Sequence, residues 1–514
     1  MKLVYHANPH LPRLAWYAVM SGSPVEIDVY HGEGVETFTD FFVEGAWNGD
    51  FSKGDFYKAT FFMGSGGQIL KDGVWHKVVI ATPTHALERL YSIQDDTALH
   101  LSNSLPFILH MTGLRLDPGY LDYERDFNSL LKGLRRYERY LPLYGNRAVR
   151  LHYYCNIIID ESLALTEEDK SSPGPFADYE DYHDKLTRAI GQLIKNASSP
   201  ERKIQYGLVT NISKGYDSAA CAALARDFGC DTAVSFNRPG HYAWDNGAEI
   251  AKKLGYKTII LKSADEYKTN TRLVEAEFVS SGELGSDIIF SAFEQEYAGN
   301  IVFKGNLGDT FWDKNKTDIN SEMRFENGVF TETCYIEYRL RTGYIALFPA
   351  SFGAVEWPSI HAISNSREMS RYSIGGTYDR PIPRRILEER GIDRGMFGIH
   401  KSGAGFNYRY DSMKRIRSRM APLSFESFYS FYKANRRKGF RVLIRWVEYL
   451  WRAKNIYIAF FLNRLGITAP YGRVRCDQTP NPGIPSYLFN WGIYVMMNRY
   501  KTAMNGGRDE VHIS

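Results

Sequence analysis

The chain has 514 residues, 44% of them hydrophobic and 24% charged, with a formal net charge of +4. That length is too great for one core, so two or three domains are expected, and the near-balanced charge makes no case for a nucleic-acid partner. The five cysteines, Cys155, Cys221, Cys230, Cys334 and Cys476, are scattered, odd in number and never in a C-x-x-C pair, which argues against a disulfide framework or a structural zinc site. Residues 1–6 lead into no long apolar run, and no segment reaches the roughly 18–20 apolar residues of a spanning helix. A soluble protein in a reducing cytoplasm is expected.

In chain order, residues 1–160 read as strands and turns with some helix. Residues 78–81 form a short apolar strand, residues 64–67 (Gly-Ser-Gly-Gly) a turn, and residues 151–159 an aromatic and β-branched run. Residues 167–177 are polar and rich in breakers, and read as a linker. Beyond them, residues 182–195 have helical spacing, with Leu186, Ile190 and Leu193 on one face. Strands at 205–210, 232–236, 257–261 and 301–304 then alternate with helices at 217–228 and 246–254. Such alternation implies a parallel sheet with helices on both faces, whose ligands bind beyond the carboxyl ends of the strands. Residues 425–461 are basic and aromatic.

The loop between the first of these strands and its helix reads Asn211-Ile212-Ser213-Lys214-Gly215-Tyr216-Asp217-Ser218. A helix N-terminus presents free N–H groups and the positive end of its dipole to an anion. Gly215 lets the backbone approach closely, Ser213 and Ser218 offer hydroxyl donors, and Lys214 offers charge. Asp217 faces a phosphate usefully only through a bridging Mg²⁺. The plain alternative is an ordinary strand–turn–helix with an Asp or Ser cap.

This loop resembles the PP-loop of the ATP pyrophosphatase superfamily, S-G-G-x-D-S, with Lys214 in place of the first glycine. The segment Lys304-Gly305-Asn306-Leu307-Gly308-Asp309-Thr310 resembles the G-E-G-x-D-E loop of asparagine synthetases. Gly305, Gly308 and Asp309 match it, while Asn306 and Thr310 replace the two glutamates. Residues 378–389 followed by 397–406 resemble the helix and lysine loop of asparagine and β-lactam synthetases, and Lys401 stands for their lysine. Arg384 and Arg385 read as helix-surface or salt-bridge residues. In residues 42–51 and 102–107 the front half is reminiscent of the glutaminase domain of asparagine synthetases, but Lys2 stands where that family carries its cysteine nucleophile.

The resemblance implies an α/β protein in three parts. Residues 1–165 would be a degenerate α+β Ntn-hydrolase-like, glutaminase-like domain. Residues 178–423 would be a PP-loop domain of the adenine nucleotide alpha hydrolase kind, and 424–514 a basic aromatic helical extension. It implies an ATP-dependent carbon–nitrogen ligase. The enzyme would adenylate a small-molecule carboxylate, release pyrophosphate and form an amide with ammonia or an amine. Ser213, Lys214, Gly215, Tyr216, Asp217, Ser218, Gly305 and Gly308 would hold ATP and pyrophosphate. Asp217 and Asp309 would hold Mg²⁺, and Lys401 would stabilise developing charge. Glu356 and Glu368 are both candidates for the base. A tRNA- or base-modifying PP-loop enzyme and a non-catalytic ATP-binding homologue remain alternatives. Residues 433–461 read as helices packed on the domain, as a membrane-surface helix or, third, as a nucleic-acid contact.

Overall fold

Short strands of alternating apolar residues fill the front third and build two sheets. The computed structural model describes residues 1–22, 25–72, 75–120, 122–237, 245–282, 284–285, 287–324, 335–399, 408, 411–436, 461 and 484–507. The first sheet runs, in spatial order, β1 (Lys2–Ala7), β3 (Glu26–His31), β2 (Trp16–Ser21), β9 (Ala98–Ser102), β8 (Leu90–Gln94), β11 (Arg147–His152) and β10 (Tyr140–Leu143), and only β1 and β3 pair in parallel. The second runs β13 (Leu165–Asp169), β12 (Cys155–Ile159), β7 (Trp75–Ala81), β6 (Phe62–Asp72), β5 (Phe41–Trp47) and β4 (Glu36–Thr37), all antiparallel. Trp16, Ile27, Val29 and Leu101 of the first sheet pack on Phe42, Val78, Ile80 and Ile157 of the second in one buried cluster. Helix Leu105–Thr112 packs on β8 and β9, and helix Tyr179–Ala197 packs on β5.

Three readings of the front third are corrected. Residues 64–67 do not turn but lie inside β6, where Gly64 faces Gly45 of β5. A Cβ on Gly45 would overlap the Met63 carbonyl oxygen, and one on Gly64 the Glu44 carbonyl oxygen. The glycines serve a close backbone approach between strands. The run 151–159 is broken by Tyr154 at φ 48° into β11 and β12, which belong to different sheets. The linker begins later than 167, because residues 165–169 pair with β12.

The second half forms the expected parallel sheet. Its order is β16 (Thr258–Lys262), β15 (Thr232–Phe236), β14 (Gly207–Asn211), β17 (Asn300–Phe303) and β18 (Ile345–Leu347), every pair parallel. From β14 the chain steps outward to β15 and β16, then returns to the other side for β17 and β18. The winding therefore reverses between β14 and β17, the point at which sheets of this kind take their ligands, beyond the carboxyl ends of the strands.

Buried charges join the halves. Arg339 donates to Glu44 (2.8 and 3.0 Å) and Glu88 (2.7 Å) of the front half, and all three are buried. Helix Ile484–Met504 lies against helices Leu105–Thr112 and Val274–Val279. The Tyr500 ring stacks on Phe107 at 4.6 Å, Asn8 Nδ2 donates to the Ala503 carbonyl (3.0 Å), and Tyr500 donates to Glu337 (2.8 Å). Helix Pro422–Asn435 is fastened where the Ala421 N–H (2.6 Å) and the Ser424 hydroxyl donate to Glu275. Both described pieces of the extension thus pack as helices on the body, and residues 437–460 lie outside the described residues. Cys155, Cys221 and Cys230 are buried free thiols. Among the described residues no helix is long and apolar enough to cross a membrane.

Candidate functional site

Strand β14 ends at Asn211, and helix Tyr216–Asp227 begins five residues later with Gly215 as its N-cap. The two serines curl the loop between them. The Gly215 N–H donates to Ser213 Oγ (3.1 Å), the Ser213 N–H donates to Ser218 Oγ (3.1 Å), and the two hydroxyls lie 2.8 Å apart. Gly215 has an ordinary φ of −72°, so what it provides is space. Behind the loop, the Lys214 N–H donates to the Asp245 carbonyl (3.3 Å), and Tyr216 is fully buried.

The loop after β17 lies directly on this turn. A Cβ added to Gly305 would come within 2.5 Å of the Ser218 nitrogen, and one on Gly308 would overlap the Asp217 carboxylate. Both glycines are needed for contact between the loops, and the tight turn between them places Leu307 at φ 69°. The two motifs, some ninety residues apart in the chain, thus meet at the winding reversal.

The third segment closes over them. Arg380, buried at the N-cap of helix Pro381–Glu388, donates to the Asp217 carboxylate. Burial alone would lower the pKa of this guanidinium; Asp217 and then Asp309 outweigh it and raise it. Its guanidinium lies 4.9 Å from the Tyr378 ring centroid, and that ring packs at 4.9 Å on Tyr216. Asp379 fixes the turn from within, accepting from the Ser373 hydroxyl and from the N–H groups of Ile374 (3.2 Å) and Gly375 (2.9 Å). The Gly398 N–H donates to the Lys214 carbonyl (2.8 Å), and a Cβ on Gly398 would enter the Tyr216 ring. The chain leading toward Lys401 is therefore docked on the loop, while Lys401 itself lies outside the described residues.

Arg384, read as a helix-surface or salt-bridge residue, is buried and bridges Glu388 (3.2 Å). It donates to the Tyr216 hydroxyl and lies 5.0 Å from the centroids of Tyr216 and Phe397, because its helix packs face-on against helix Tyr216–Asp227. Arg385 is a salt-bridge residue, bound to Glu180, Glu368 and Glu389. Glu368 is thus engaged by Arg385, and Glu356 accepts from Ser172.

Two features escaped the sequence reading. Arg380 stood within a quoted motif but carried no role there. Lys304, the first residue beyond β17, is buried among aromatic rings, with Tyr335 at 4.2 Å, Tyr297 at 4.9 Å and Phe290 at 5.0 Å. Burial brings its ammonium down to about 8, against the opposing pull of Asp287 and Glu88.

Two groups could be asked to hold a metal. Asp217 and Asp309 offer the hard oxygen donors Mg²⁺ takes, so the donor type fits. His152, Cys155 and Glu167 also gather within 4.8 Å. There, however, His152 Nδ1 is 2.6 Å from Glu167, His152 Nε2 is 2.7 Å from Ser92 Oγ, and Arg139 and Arg150 hold Glu167 as well. With both ring nitrogens engaged, that cluster is a closed structural network. Beside the loop, Lys214, Asn246, Ala248, Lys252, Ile259 and Leu261 line a cleft of about 380 Å³, within the usual size of small-molecule sites.

Compared with known proteins, the chain matches no family model and no curated sequence.

Proposed function

We propose that the protein is an ATP-dependent synthetase that adenylates a substrate carboxylate, releases pyrophosphate and passes the acyl group to an amine. The observation that carries this reading is the meeting of three separate segments at one crevice. The Ser213–Ser218 hydroxyl pair, the Gly305–Asp309 loop and Arg380 converge at the winding reversal between β14 and β17. A strand order of 3-2-1-4-5 within the sheet, with the phosphate loop after its first strand, supports a PP-loop domain. The sandwich of two sheets, with helix Leu105–Thr112 packed on the first, supports an Ntn-like front half. The nitrogen donor in this proposal is ammonia or an amine.

In this reading Ser213, Ser218 and the N-terminal amides of helix Tyr216–Asp227 hold the pyrophosphate end of ATP, and Lys214 and Tyr216 frame it. The cleft beside Lys214 gives space for the nucleoside. Asp217 and Asp309 hold Mg²⁺, which when bound neutralises charge on the phosphate oxygens. Lys401, three residues beyond the docked Gly398 in the chain, is assigned to steady charge at the α-phosphate. Asp217→Ala is expected to cut pyrophosphate release by about a hundredfold or more, measured with a panel of carboxylates and ammonia. Full activity in that variant would sink the proposal.

Gly308→Ala is a milder probe. Its methyl group would push on the Asp217 carboxylate, so ATP affinity by calorimetry should fall about tenfold with little change in melting temperature. One observation favours a second reading, a nucleotide-binding homologue without chemistry: Asp217 already holds a permanent cation, Arg380. Tight Mg·ATP binding with no turnover on any carboxylate would select it.

A further inference from the structure

Asp217 and Asp309 come from different loops, and the first of them already faces a fixed positive charge, Arg380. Arg380 is ion-paired to Asp217, has 2% of its side chain exposed and cannot lose its charge. Its position is defined from three directions. Tyr378 lies along the guanidinium, the buried Asp379 locks the preceding turn, and Pro381 starts the helix immediately after it. A divalent ion on the same carboxylates would bring two further positive charges next to a fixed one, and at such distances that repulsion is large. A triphosphate, in contrast, is the strongest partner a guanidinium can meet, through paired N–H···O bonds.

We infer that Arg380 is a phosphate-binding residue that competes with the divalent cation for Asp217. Without nucleotide it occupies the carboxylate. When ATP binds, its hydrogen bonds pass to phosphate oxygens, pivoting on the Tyr378 ring, and Asp217 is released to the metal. The inference rests on the nucleotide reading of this crevice and adds an order of events to it: phosphate opens the metal site.

The full-length protein tests this with three probes, namely ATP in EDTA, ATP with Mg²⁺, and Mn²⁺ alone followed by its electron paramagnetic resonance. Wild type should bind ATP in EDTA within about tenfold of its Mg²⁺-dependent affinity, and Arg380→Gln should lose about tenfold or more of the EDTA binding. Mn²⁺ alone should bind more tightly to Arg380→Gln than to wild type. Asp217→Asn, which leaves Arg380 a neutral neighbour, should bind metal-free ATP at least as well as wild type. The double variant D217N/R380Q carries no unpaired buried charge, which guards against misfolding; it should lose metal-free binding as the single Arg380 variant does. Metal-free binding at the wild-type level in either Arg380 variant overturns the inference. So does its loss in Asp217→Asn, or a wild type that binds ATP only with Mg²⁺; in each of these cases Mg·ATP binding by wild type leaves the nucleotide reading standing. A wild type that binds ATP under neither condition overturns both.

Discussion

Arg339→Met is expected to lower stability by about 3–5 kcal/mol, because it strands two buried carboxylates. Arg339 gives two hydrogen bonds to Glu44 and one to Glu88, and no group in the trio is more than 8% exposed at its side chain. Burial raises the Glu88 pKa, and Arg339 opposes that rise. Glu44 also accepts from Ser65 (2.8 Å), whose hydroxyl takes the Trp16 indole N–H (2.9 Å), so the charge is wired into the sandwich core. A loss of that size is a large share of the roughly 5–15 kcal/mol that holds most domains folded. The melting midpoint should fall by about 3–5 °C for a body of this size, and cleavage in the 170–177 segment should speed up. The variant E44Q/E88Q/R339M carries no buried charge at the site and should recover most of the loss. An Arg339→Met protein melting within a degree or two of wild type would show that the trio is not what joins the halves.

The second large effect concerns pH and the helices of the extension. Glu275 and Glu337 are fully buried, and burial is the main reason each is pushed up to about 7. Glu275 takes hydrogen bonds from Ala421 and Ser424, and Glu337 takes one from Tyr500. Around them stand Glu277, which raises both, and Arg499, which lowers Glu337. In the window between the ordinary carboxyl value and about 7, the folded state binds more protons than the unfolded one. Stability from these groups is therefore present at the acid end and falls as pH rises, each contributing on the order of 3 kcal/mol across the window. Glu167 and Glu294 act in the opposite sense. Burial raises each, but His152 and Arg150 beside Glu167 and Arg341 beside Glu294 outweigh it and bring both down to about 2, so their contribution disappears below the ordinary carboxyl range. From these four groups the expected stability maximum lies near the ordinary carboxyl value, about pH 4.5–5. Amide exchange, corrected for its intrinsic rate, should show residues 422–435 and 484–504 losing protection between pH 6 and 8, and Glu337→Gln should flatten the change in 484–504. Equal protection at both pH values in wild type would refute this.

The sequence reading recovered what local pattern controls. Strands 232–236 and 301–304 and the helix after Gly215 announce themselves by apolar runs and turn residues, so the parallel sheet and its phosphate loop were legible. β18 is three residues long, and the apolar run 344–348 that carries it, between Gly343 and Pro349, is too short to distinguish strand from helix by pattern. Residues 64–67 look like a turn because glycine marks both turns and close strand contacts, and only the facing Gly45 distinguishes them. The order of the sheet and the ion pair between Arg380 and Asp217, 163 residues apart, depend on crossovers that no local pattern encodes. The burial of Arg384 is hidden for the same reason: the alternation of its helix does not say which neighbour covers it.

The fastening of helix Ile484–Met504 has a consequence for synthesis. Asn8 and Ala503, joined by a hydrogen bond, are separated by 495 positions. At ribosomal speeds of about 5–20 residues per second, the start of the chain waits roughly half a minute to two minutes for its partner. Throughout that interval the Phe107 ring lacks the Tyr500 face that covers it. The front sandwich therefore leaves the ribosome with Phe107 uncovered, well before helix Ile484–Met504 emerges. Nascent chains arrested before residue 484 should accordingly be the ones that chaperones retain.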